Sequence, residues 1–477
     1  MAKALNPIAA LLLSVALMLL GHGLQATLLP VRADLEGFSP LAIGIMSSSY
    51  FGGFVLGCVM APFAVLRAGH IRAFAALVSL GSASAILYPV LTAPVAWIVI
   101  RFAYGFTLAG FYLIVESWLN ERATNENRGA LMSTYIIVNL AAITGGQLLL
   151  TAIDPGGFTA FVLASVAVSL AVVPISLTRS QQPAPITLVR FRPGKLYEIS
   201  PAAFVGTFFI GLANGTNWTL APLYARQIGF DKAEVAYFAS AIIFGGALAQ
   251  WPMGRLSDRM DRRYVLIGLA LAASVIAAAI GWFEPTDAVI AIATAGLLGF
   301  ATQPAYSIAA AHAFDHVESD GFVEASSGLL LANGIGSMIG PIVASLVMQR
   351  VGPSGLYGMI SFVMFALAAY IMFRMFVREA PSARLHTEFD LAGTAQVGGV
   401  LTPELLDESH PNVVLPEFSP VPHVTPDPEA VAEAWETAWD EEEAEAVPPD
   451  PEQEIVTEPD QASADNGAER EEAPKAD

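Results

Sequence analysis

Long apolar runs alternate with short polar stretches along the first 378 residues. A helix needs about 20 apolar residues to cross about 30 Å of hydrocarbon, and each run is close to that length or exceeds it. The runs form two groups of six, separated by the polar segment 179–198. The pattern therefore predicts twelve membrane-spanning helices, bracketed at residues 6–31, 41–63, 71–90, 94–118, 130–152, 157–178, 199–223, 234–254, 264–282, 287–312, 324–349 and 354–377.

Composition agrees with a membrane protein and sets the C-terminal tail apart. The 477 residues are 55% apolar and 14% charged, with a mean hydropathy of +0.56, which is far more apolar than a soluble domain. The formal net charge of −20 comes from the tail, because residues 1–378 carry a net charge of +3. A tail this rich in Pro and Glu cannot bury a core, so we expect residues 379–477 to be disordered.

The distribution of basic residues predicts the orientation. With the N-terminus inside, fifteen of the Lys and Arg residues that flank the runs lie on the inner side and four on the outer side. Cytoplasmic loops carry this excess of positive charge, so we expect both termini in the cytoplasm. The first run is too long for a signal peptide and lacks a small-residue cleavage site after it, so it is retained as the first helix.

The two groups of runs share a repeat. Shifting the chain by 192 residues without a gap aligns identical residues in both groups, among them Gly23/Gly215, Pro30/Pro222, Gly37/Gly229, Gly53/Gly245 and Arg67/Arg259. Chance matching between apolar segments is the alternative. Two halves in the same orientation imply a pseudo-twofold axis along the membrane normal, with a substrate path between them.

The loop after the eighth run, GRLSDRMDRR at residues 254–263, concentrates charge in an apolar chain. It resembles the loop signature of major facilitator superfamily (MFS) transporters, with Asp261 where that signature usually has Gly. The sister loop PFAVLRAGHIR has Leu66 where the family has Asp. The stretches AGHIRAFAAL and ESWLNERAT resemble the YcaD-type branch of the superfamily.

This resemblance covers residues 1 to about 378 and implies a fold. We expect an all-α integral membrane protein with two pseudo-symmetric six-helix bundles, at 1–178 and 199–378. A cytoplasmic linker at 179–198 would join the bundles, and the acidic tail 379–477 would follow in the cytoplasm. The expected location is the bacterial inner membrane.

The resemblance also assigns the charged loop a gating role. Asp258 is expected to act as a latch against the start of the fifth helix near Arg128, where the helix dipole favours an anion. The alternative, a topology signal, explains the arginines but not Asp258 and Asp261. Glu116 either pairs with Arg67 or Arg72 or carries a proton. The candidate gating residues are Gly254, Asp258, Arg259, Arg262, Arg263, Arg67, Arg72 and Glu116.

Polar residues at mid-membrane depth are costly and mark candidate sites. His22 and Gln25 lie on one face of the first helix, and their partners at the 192-residue offset are Asn214 and Asn217, followed by Trp218. These residues either line a cavity or hold neighbouring helices together. Gln303 and Tyr306 on the tenth helix are further, weaker candidates.

Arg101 lies within the fourth run, about two turns from its start. The stretch RFAYG resembles the family's Arg-x-x-x-Gly signature on that helix. Because arginine keeps its charge under ordinary conditions, it cannot release a proton. It either binds an anionic substrate or tunes a neighbouring acid, or it serves as a structural hub for backbone carbonyls.

No phosphate-binding loop, nucleophile elbow or metal-spaced His/Glu cluster occurs in the sequence, and Cys58 is the single cysteine. We therefore expect neither an enzyme nor a bound cofactor or metal, and no nucleic-acid partner. The predicted function is secondary transport of a small solute by alternating access, with proton-coupled drug or metabolite efflux as the first choice. The alternative is a non-transporting sensor or scaffold that acts through the acidic tail. Expected partners are the substrate, protons and membrane lipids, with the chain as a monomer.

Overall fold

The computed structural model describes residues 8–124, 127–177, 200–317 and 322–377. The chain divides into two compact units, Met1–Leu405 and Leu406–Asp477, and the second unit lies outside the described residues. The predicted linker 179–198 and tail 379–477 also fall outside them.

Within these ranges the chain forms twelve helical spans, α1 to α12, as the apolar runs predict. The sixth and tenth spans are each interrupted once. The bounds are Ala9–Leu35 (α1), Pro40–Ala68 (α2), His70–Val90 (α3), Pro94–Arg122 (α4), Arg128–Leu149 (α5), Thr159–Leu170 with Val172–Ser176 (α6), Pro201–Gln227 (α7), Lys232–Arg259 (α8), Arg262–Phe283 (α9), Ala288–Thr302 with Ala305–Phe314 (α10), Phe322–Val351 (α11) and Gly355–Val377 (α12).

Eleven of the spans in the described part of the chain are long and apolar enough to cross a membrane by length and composition alone. The exception is α7, which has 27 residues but includes the polar stretch from Asn214 to Thr219. Several helices continue past the apolar run that predicted them. The α4 helix reaches Arg122 and α8 reaches Arg259, so both extend into the charged loops.

Polar residues at the loop boundaries explain where several helices begin. The Ser39 hydroxyl accepts a hydrogen bond from the Ala42 amide and caps α2. Asp231 and Glu234 form a capping box at the start of α8. Asp287 caps α10 by accepting from the Ile290 amide. These side chains satisfy backbone N–H groups that the first helical turn leaves without a partner.

The internal repeat is visible in how the helices pack. In the first half α2 packs on α4 and α1 on α5, and in the second half α8 packs on α10 and α7 on α11. A Cβ added at Gly53 would overlap the Phe102 carbonyl, and one at Gly245 would overlap the carbonyl of Gly296. The two glycines that the repeat aligns therefore permit the same close helix crossing in each half.

A second pair of glycines aligned by the repeat allows a turn between helices. Gly37 and Gly229 lie in the α1–α2 and α7–α8 loops with φ angles of 76° and 101°. Side chains other than glycine rarely adopt this backbone region. The 192-residue repeat therefore reflects shared backbone requirements as well as shared hydrophobicity.

Polar contacts join the two halves at one end of the helical bundle and near its middle. We call the end at residues 34–44, 153–156 and 227–232 the distal face, and the end at residues 67–72, 122–130 and 255–263 the basic face. At the distal face the Gln227 amide donates to Asp34 at 3.2 Å, and Lys232 donates to the Ile153 carbonyl at 3.2 Å. These bonds join the two halves. At mid-depth the Ser240 hydroxyl donates to Gln147, also across the halves, at 3.2 Å.

Helices α2 and α11 extend the contact between the halves. Near the distal face Gly44 lies against Ser345 and Pro341, and closer to the middle Gly52 lies near Met338. At the basic face, by contrast, Gly129 at the start of α5 has open space where a side chain would be. The described contacts thus hold the halves together at the distal face.

Candidate substrate site and gating region

His22 lies in the middle of α1 and is fully buried in the first half. Its ring stacks on Tyr104 with centroids 5.7 Å apart and on Tyr50 with centroids 5.9 Å apart. His22 Nδ1 and the Tyr104 hydroxyl are 3.3 Å apart, within hydrogen-bond distance. The helices α1, α2 and α4 therefore bring an imidazole between two tyrosines at mid-membrane depth.

Arg101 completes this group from α4. Its guanidinium lies over the Tyr50 ring at 4.7 Å and near the Tyr104 ring at 5.6 Å, both suitable for cation–π attraction. The side chain is 4% exposed, and its Nη1 atom has no hydrogen-bond partner. The Tyr88 hydroxyl lies beside the guanidinium but also makes no ordinary hydrogen bond.

A narrow crevice separates the two halves next to Arg101. Its lining residues come from α1, α2, α4 and α7, and it has no room for a water molecule in this conformation. They are Ala26, Leu29, Pro30, Met46, Ser47, Arg101, Trp218 and Thr219. The structure thus places Arg101 and Trp218, predicted separately from the two halves, at the same point of the interface.

Other predicted residues add unpartnered polar atoms. Both amide atoms of Gln25 and of Asn217 are buried without a hydrogen-bond partner, and so is Trp218 Nε1. A buried polar group without a partner is costly in a protein interior. These groups lie on α1 and α7, the two helices that the repeat predicted to line a cavity.

The second half holds a separate polar group. Asn214 donates to the Thr302 carbonyl at 3.3 Å, where α10 is interrupted before Pro304. Gln303 fills that interruption and packs against Gly246 of α8, so a Cβ at Gly246 would overlap it. Tyr306 follows on the second part of α10, 6% exposed, with its hydroxyl unpartnered. The described contacts do not join these residues to Arg101.

Sequence reasoning missed Tyr50, Tyr88 and Tyr104, which surround Arg101 and His22. Their rings make them look like ordinary core residues. One signal was available, because Tyr104 lies three residues after Arg101 and hence on the same helical face.

In the charged loop, Arg262 is bound within its own half. Arg262 Nε donates to Asp315 at 2.8 Å, with side-chain exposures of 1% and 2%. Its Nη1 atom lies 3.2 Å from Asp258 and 3.3 Å from the Ser257 hydroxyl. The Ser257 hydroxyl in turn donates to the carbonyl of the buried Gly254 at 2.8 Å. The described ion pair of Asp258 is therefore with Arg262, not with residues at the start of α5.

Asp261, the departure from the family signature, has a structural role. It caps α9 by accepting from the Arg263 amide at 2.9 Å, and its carboxylate also binds the Arg263 guanidinium at 2.8 Å. Burial raises the pKa of Asp261, but the hydrogen bonds from Arg263 outweigh it and hold the pKa below its usual value. A glycine at this position would provide neither interaction.

The predicted pairing of Glu116 with Arg67 or Arg72 is not formed in this conformation. Both arginines are exposed and take part in none of the described ion pairs, whereas Glu116 is 5% exposed and lies near Tyr112 and Tyr135. The α4 helix continues to Arg122, six residues past Glu116, so the carboxyl group is well inside the bundle. Arg259, another candidate gating residue, is also exposed.

Two family profiles match the chain in sequence. The profile described as Major Facilitator Superfamily matches residues 203–439, and that described as Sugar (and other) transporter matches residues 14–160. The chain belongs to the major facilitator superfamily. It is accordingly a multi-pass membrane transporter that handles small molecules, and not an enzyme.

Among its MFS relatives is the uncharacterized MFS-type transporter YcaD of Escherichia coli (strain 536 / UPEC), 26% identical over 383 residues. The match covers 79% of this chain and 96% of YcaD. The resemblance to MFS transporters of the YcaD type that the loop motifs indicated is confirmed.

Solved MFS structures confirm the fold. The nucleoside transporter NupG matches with a TM-score of 0.66 at 14% identity, covering 78% of this chain and all of NupG. A bacterial homologue of the human lysosomal transporter Spinster, in an inward-facing and unoccupied conformation, matches with a TM-score of 0.60 at 12% identity. It covers 80% of this chain and 97% of that protein.

Proposed function

We propose that this MFS protein is a secondary active transporter that moves a small solute by alternating access, with the basic face in the cytoplasm. The observation that carries the proposal is that the two halves bind each other at the distal face. The buried group of His22, Tyr50, Tyr104 and Arg101 lies deeper, next to the crevice between the halves. A transporter that exposes one site to each side in turn needs such a seal on one side at a time.

The polar contacts at the distal face are few and therefore reversible. A single hydrogen bond joins the Gln227 amide to the Asp34 carboxylate. Another single hydrogen bond joins the Lys232 ammonium group to the Ile153 carbonyl. At the basic face Arg67, Arg72 and Arg259 are exposed. This arrangement supports a conformation in which the two halves are joined at the distal face.

The orientation rests on the positive-inside rule, since the basic face carries the arginines of the α2–α3 and α8–α9 loops. We propose the bacterial cytoplasmic membrane as the location, with both termini inside. Protons are the proposed coupling ion, because His22 is a group whose ordinary pKa lies near neutrality. Efflux is the proposed direction.

A reversible crosslink at the distal face tests alternating access. Cysteines at positions 34 and 227 replace the Asp34–Gln227 bond, in a background with Cys58→Ser. Oxidation should stop solute flux in proteoliposomes, and reduction should restore it, because the sealed face can no longer open. Each single-cysteine protein is the matched control. Flux that continues in the oxidised double-cysteine protein would contradict alternating access.

Deletion of residues 379–477 provides a second test of the transport function. A transporter should keep its flux without the tail, because the described site lies entirely within residues 8–377. Loss of flux in a truncated protein that still inserts and folds would instead give the tail a part in transport.

A further inference from the structure

We infer that Arg101 binds the negatively charged group of the transported solute, so that the substrate class is a small organic anion such as a carboxylate. The inference deepens the proposed transport function and rests on it. It narrows the expected drug or metabolite solute to a defined ligand chemistry at a defined residue.

The guanidinium of Arg101 carries a permanent charge in a buried place. Arginine is not deprotonated in proteins, and a buried charge is unfavourable unless it is paired. Arg101 is 4% exposed, its Nη1 atom has no hydrogen-bond partner, and it takes part in none of the ion pairs of the described residues. On the same helix, Glu116 lies fifteen residues further along, about 22 Å away, so it does not neutralise this charge.

The tyrosines around Arg101 lower this cost only in part. Tyr50 and Tyr104 present their ring faces, which attract a cation but do not accept the in-plane N–H groups as a carboxylate would. The Nη1 group therefore remains without an acceptor. A carboxylate fits the fork of guanidinium N–H groups and supplies both charge and acceptors.

The position of Arg101 makes a solute a suitable partner. Its side chain lines the crevice between the two halves, opposite Trp218 of α7, whose Nε1 atom is also unpartnered. Gln25 and Asn217, on α1 and α7, each bury two unpartnered amide atoms. Of these groups, Trp218 lines the same crevice as Arg101, so its indole N–H offers a neutral donor to an anion bound there.

The two other roles for Arg101 lack support in the geometry. A structural hub would donate to backbone carbonyls, and no such bond is described for Arg101. A tuner of a neighbouring acid would need a carboxyl group within a few ångströms, and the groups described around the guanidinium are tyrosines. A cationic solute would be repelled at this position.

Matched pairs of anions and amides test the inference on the purified full-length protein. Thermal-shift measurements compare benzoate with benzamide, lactate with lactamide and succinate with succinamide at constant ionic strength and pH. The proteins are the unsubstituted chain, Arg101→Gln, Arg101→Lys and, as matched control, Arg350→Gln, since Arg350 is exposed at the end of α11.

We expect at least one anion, and not its amide, to stabilise the unsubstituted chain and Arg350→Gln. Arg101→Gln should lose affinity by about tenfold to a hundredfold, the effect of losing charge-assisted hydrogen bonds. Arg101→Lys keeps the charge and should bind the anion more weakly than the unsubstituted chain. It also gives a folded comparison if the glutamine variant fails to fold.

Three results would overturn the inference: no anion stabilises the unsubstituted chain, the amides bind as well as the anions, or Arg101→Gln keeps full affinity. Flux in proteoliposomes separates this inference from the proposed function. An anion that binds through Arg101 but is not transported would support the inference about anion binding and contradict the proposed transport function. A neutral solute that Arg101→Gln transports at the original rate would support the transport function and contradict the inference about anion binding.

Discussion

Replacing Arg262 with methionine should destabilise the second half of the transporter. The Arg262–Asp315 pair is buried, with side-chain exposures of 1% and 2% and an Nε–Oδ2 distance of 2.8 Å. The substitution keeps much of the side-chain volume but leaves the Asp315 carboxylate buried without this guanidinium. Removal of one partner from a buried ion pair costs about 3–5 kcal/mol. The additional bonds of Arg262 to Asp258 and Ser257 would be lost as well.

Thermal unfolding of the detergent-solubilised protein, followed by tryptophan fluorescence, measures the effect. Arg259→Met is the matched control, because Arg259 lies in the same loop and is exposed. We expect its effect to stay within about 0.5 kcal/mol. The double variant Arg262→Met/Asp315→Leu should recover much of the lost stability, since it removes the buried charge together with its partner. Equal melting temperatures for Arg262→Met and Arg259→Met would refute the reasoning.

Three further substitutions have expected outcomes. His22→Gln should leave a folded protein and flatten the pH dependence of transport in proteoliposomes; an unchanged profile removes His22 from proton coupling. Gly245→Ala should lower the melting temperature, because the new Cβ overlaps the α10 backbone, whereas Gly268→Ala, with open space around it, should not. Asp261→Ala should destabilise α9 by about 1 kcal/mol, the usual value of an N-cap. The pKa of Asp261 is lower in the folded protein than in the unfolded chain, where it is about 4. Asp261 therefore stabilises the folded protein fully above the unfolded pKa, and this stabilisation is lost as the pH falls through the folded pKa. The difference in stability between Asp261→Ala and the unsubstituted chain should shrink at acidic pH.

The sequence predicted the helices well because the membrane imposes a simple rule on them. A span must be apolar over its length, and that requirement is readable residue by residue. The α7 helix shows where this rule weakens. The apolar run at 199–223 predicted it, and it spans Pro201–Gln227, although its polar centre makes it less apolar than the other spans.

Pairings between distant residues were less predictable. Asp315 follows Arg262 by 53 residues, and only the packing of α10 beside α9 brings them together. Glu116 was expected at the end of a span because the apolar run stops at residue 118, but α4 continues to Arg122. The helix boundary thus decided the depth of a carboxyl group, and hydrophobicity alone does not fix that boundary.

The sequence predicted the ionisable residues of the candidate site but not the residues that surround them. His22 and Arg101 stand out because ionisable groups are rare at mid-membrane depth. Tyr50 and Tyr104 do not stand out, since a tyrosine ring suits an ordinary core. Yet these rings fix the imidazole and the guanidinium in place, through stacking at 5.9 and 5.7 Å and through cation–π contacts at 4.7 and 5.6 Å.

Asp258 provides the last prediction, because its role as a latch depends on the conformation. In this structure it pairs with Arg262, and its side chain is 37% exposed. When the basic face closes, we expect Asp258 to reach the start of α5, where the helix dipole favours a carboxylate by about 0.3–2 kcal/mol. Loss of this contact should shift the balance of states by between less than twofold and about thirtyfold.

A cysteine probe on α5 reports this shift. Ser133 is partly exposed and lies on the same face of α5 as Gln147, which contacts α8, so Ser133→Cys with Cys58→Ser gives a single label in the cavity wall. Asp258→Asn should raise its labelling rate, because the basic face then stays open for longer. Leu66→Asp in the sister loop should lower the rate if the new carboxylate reaches α11. An unchanged rate in Asp258→Asn would mean that Asp258 does not hold the basic face closed and that the loop acts as a topology signal.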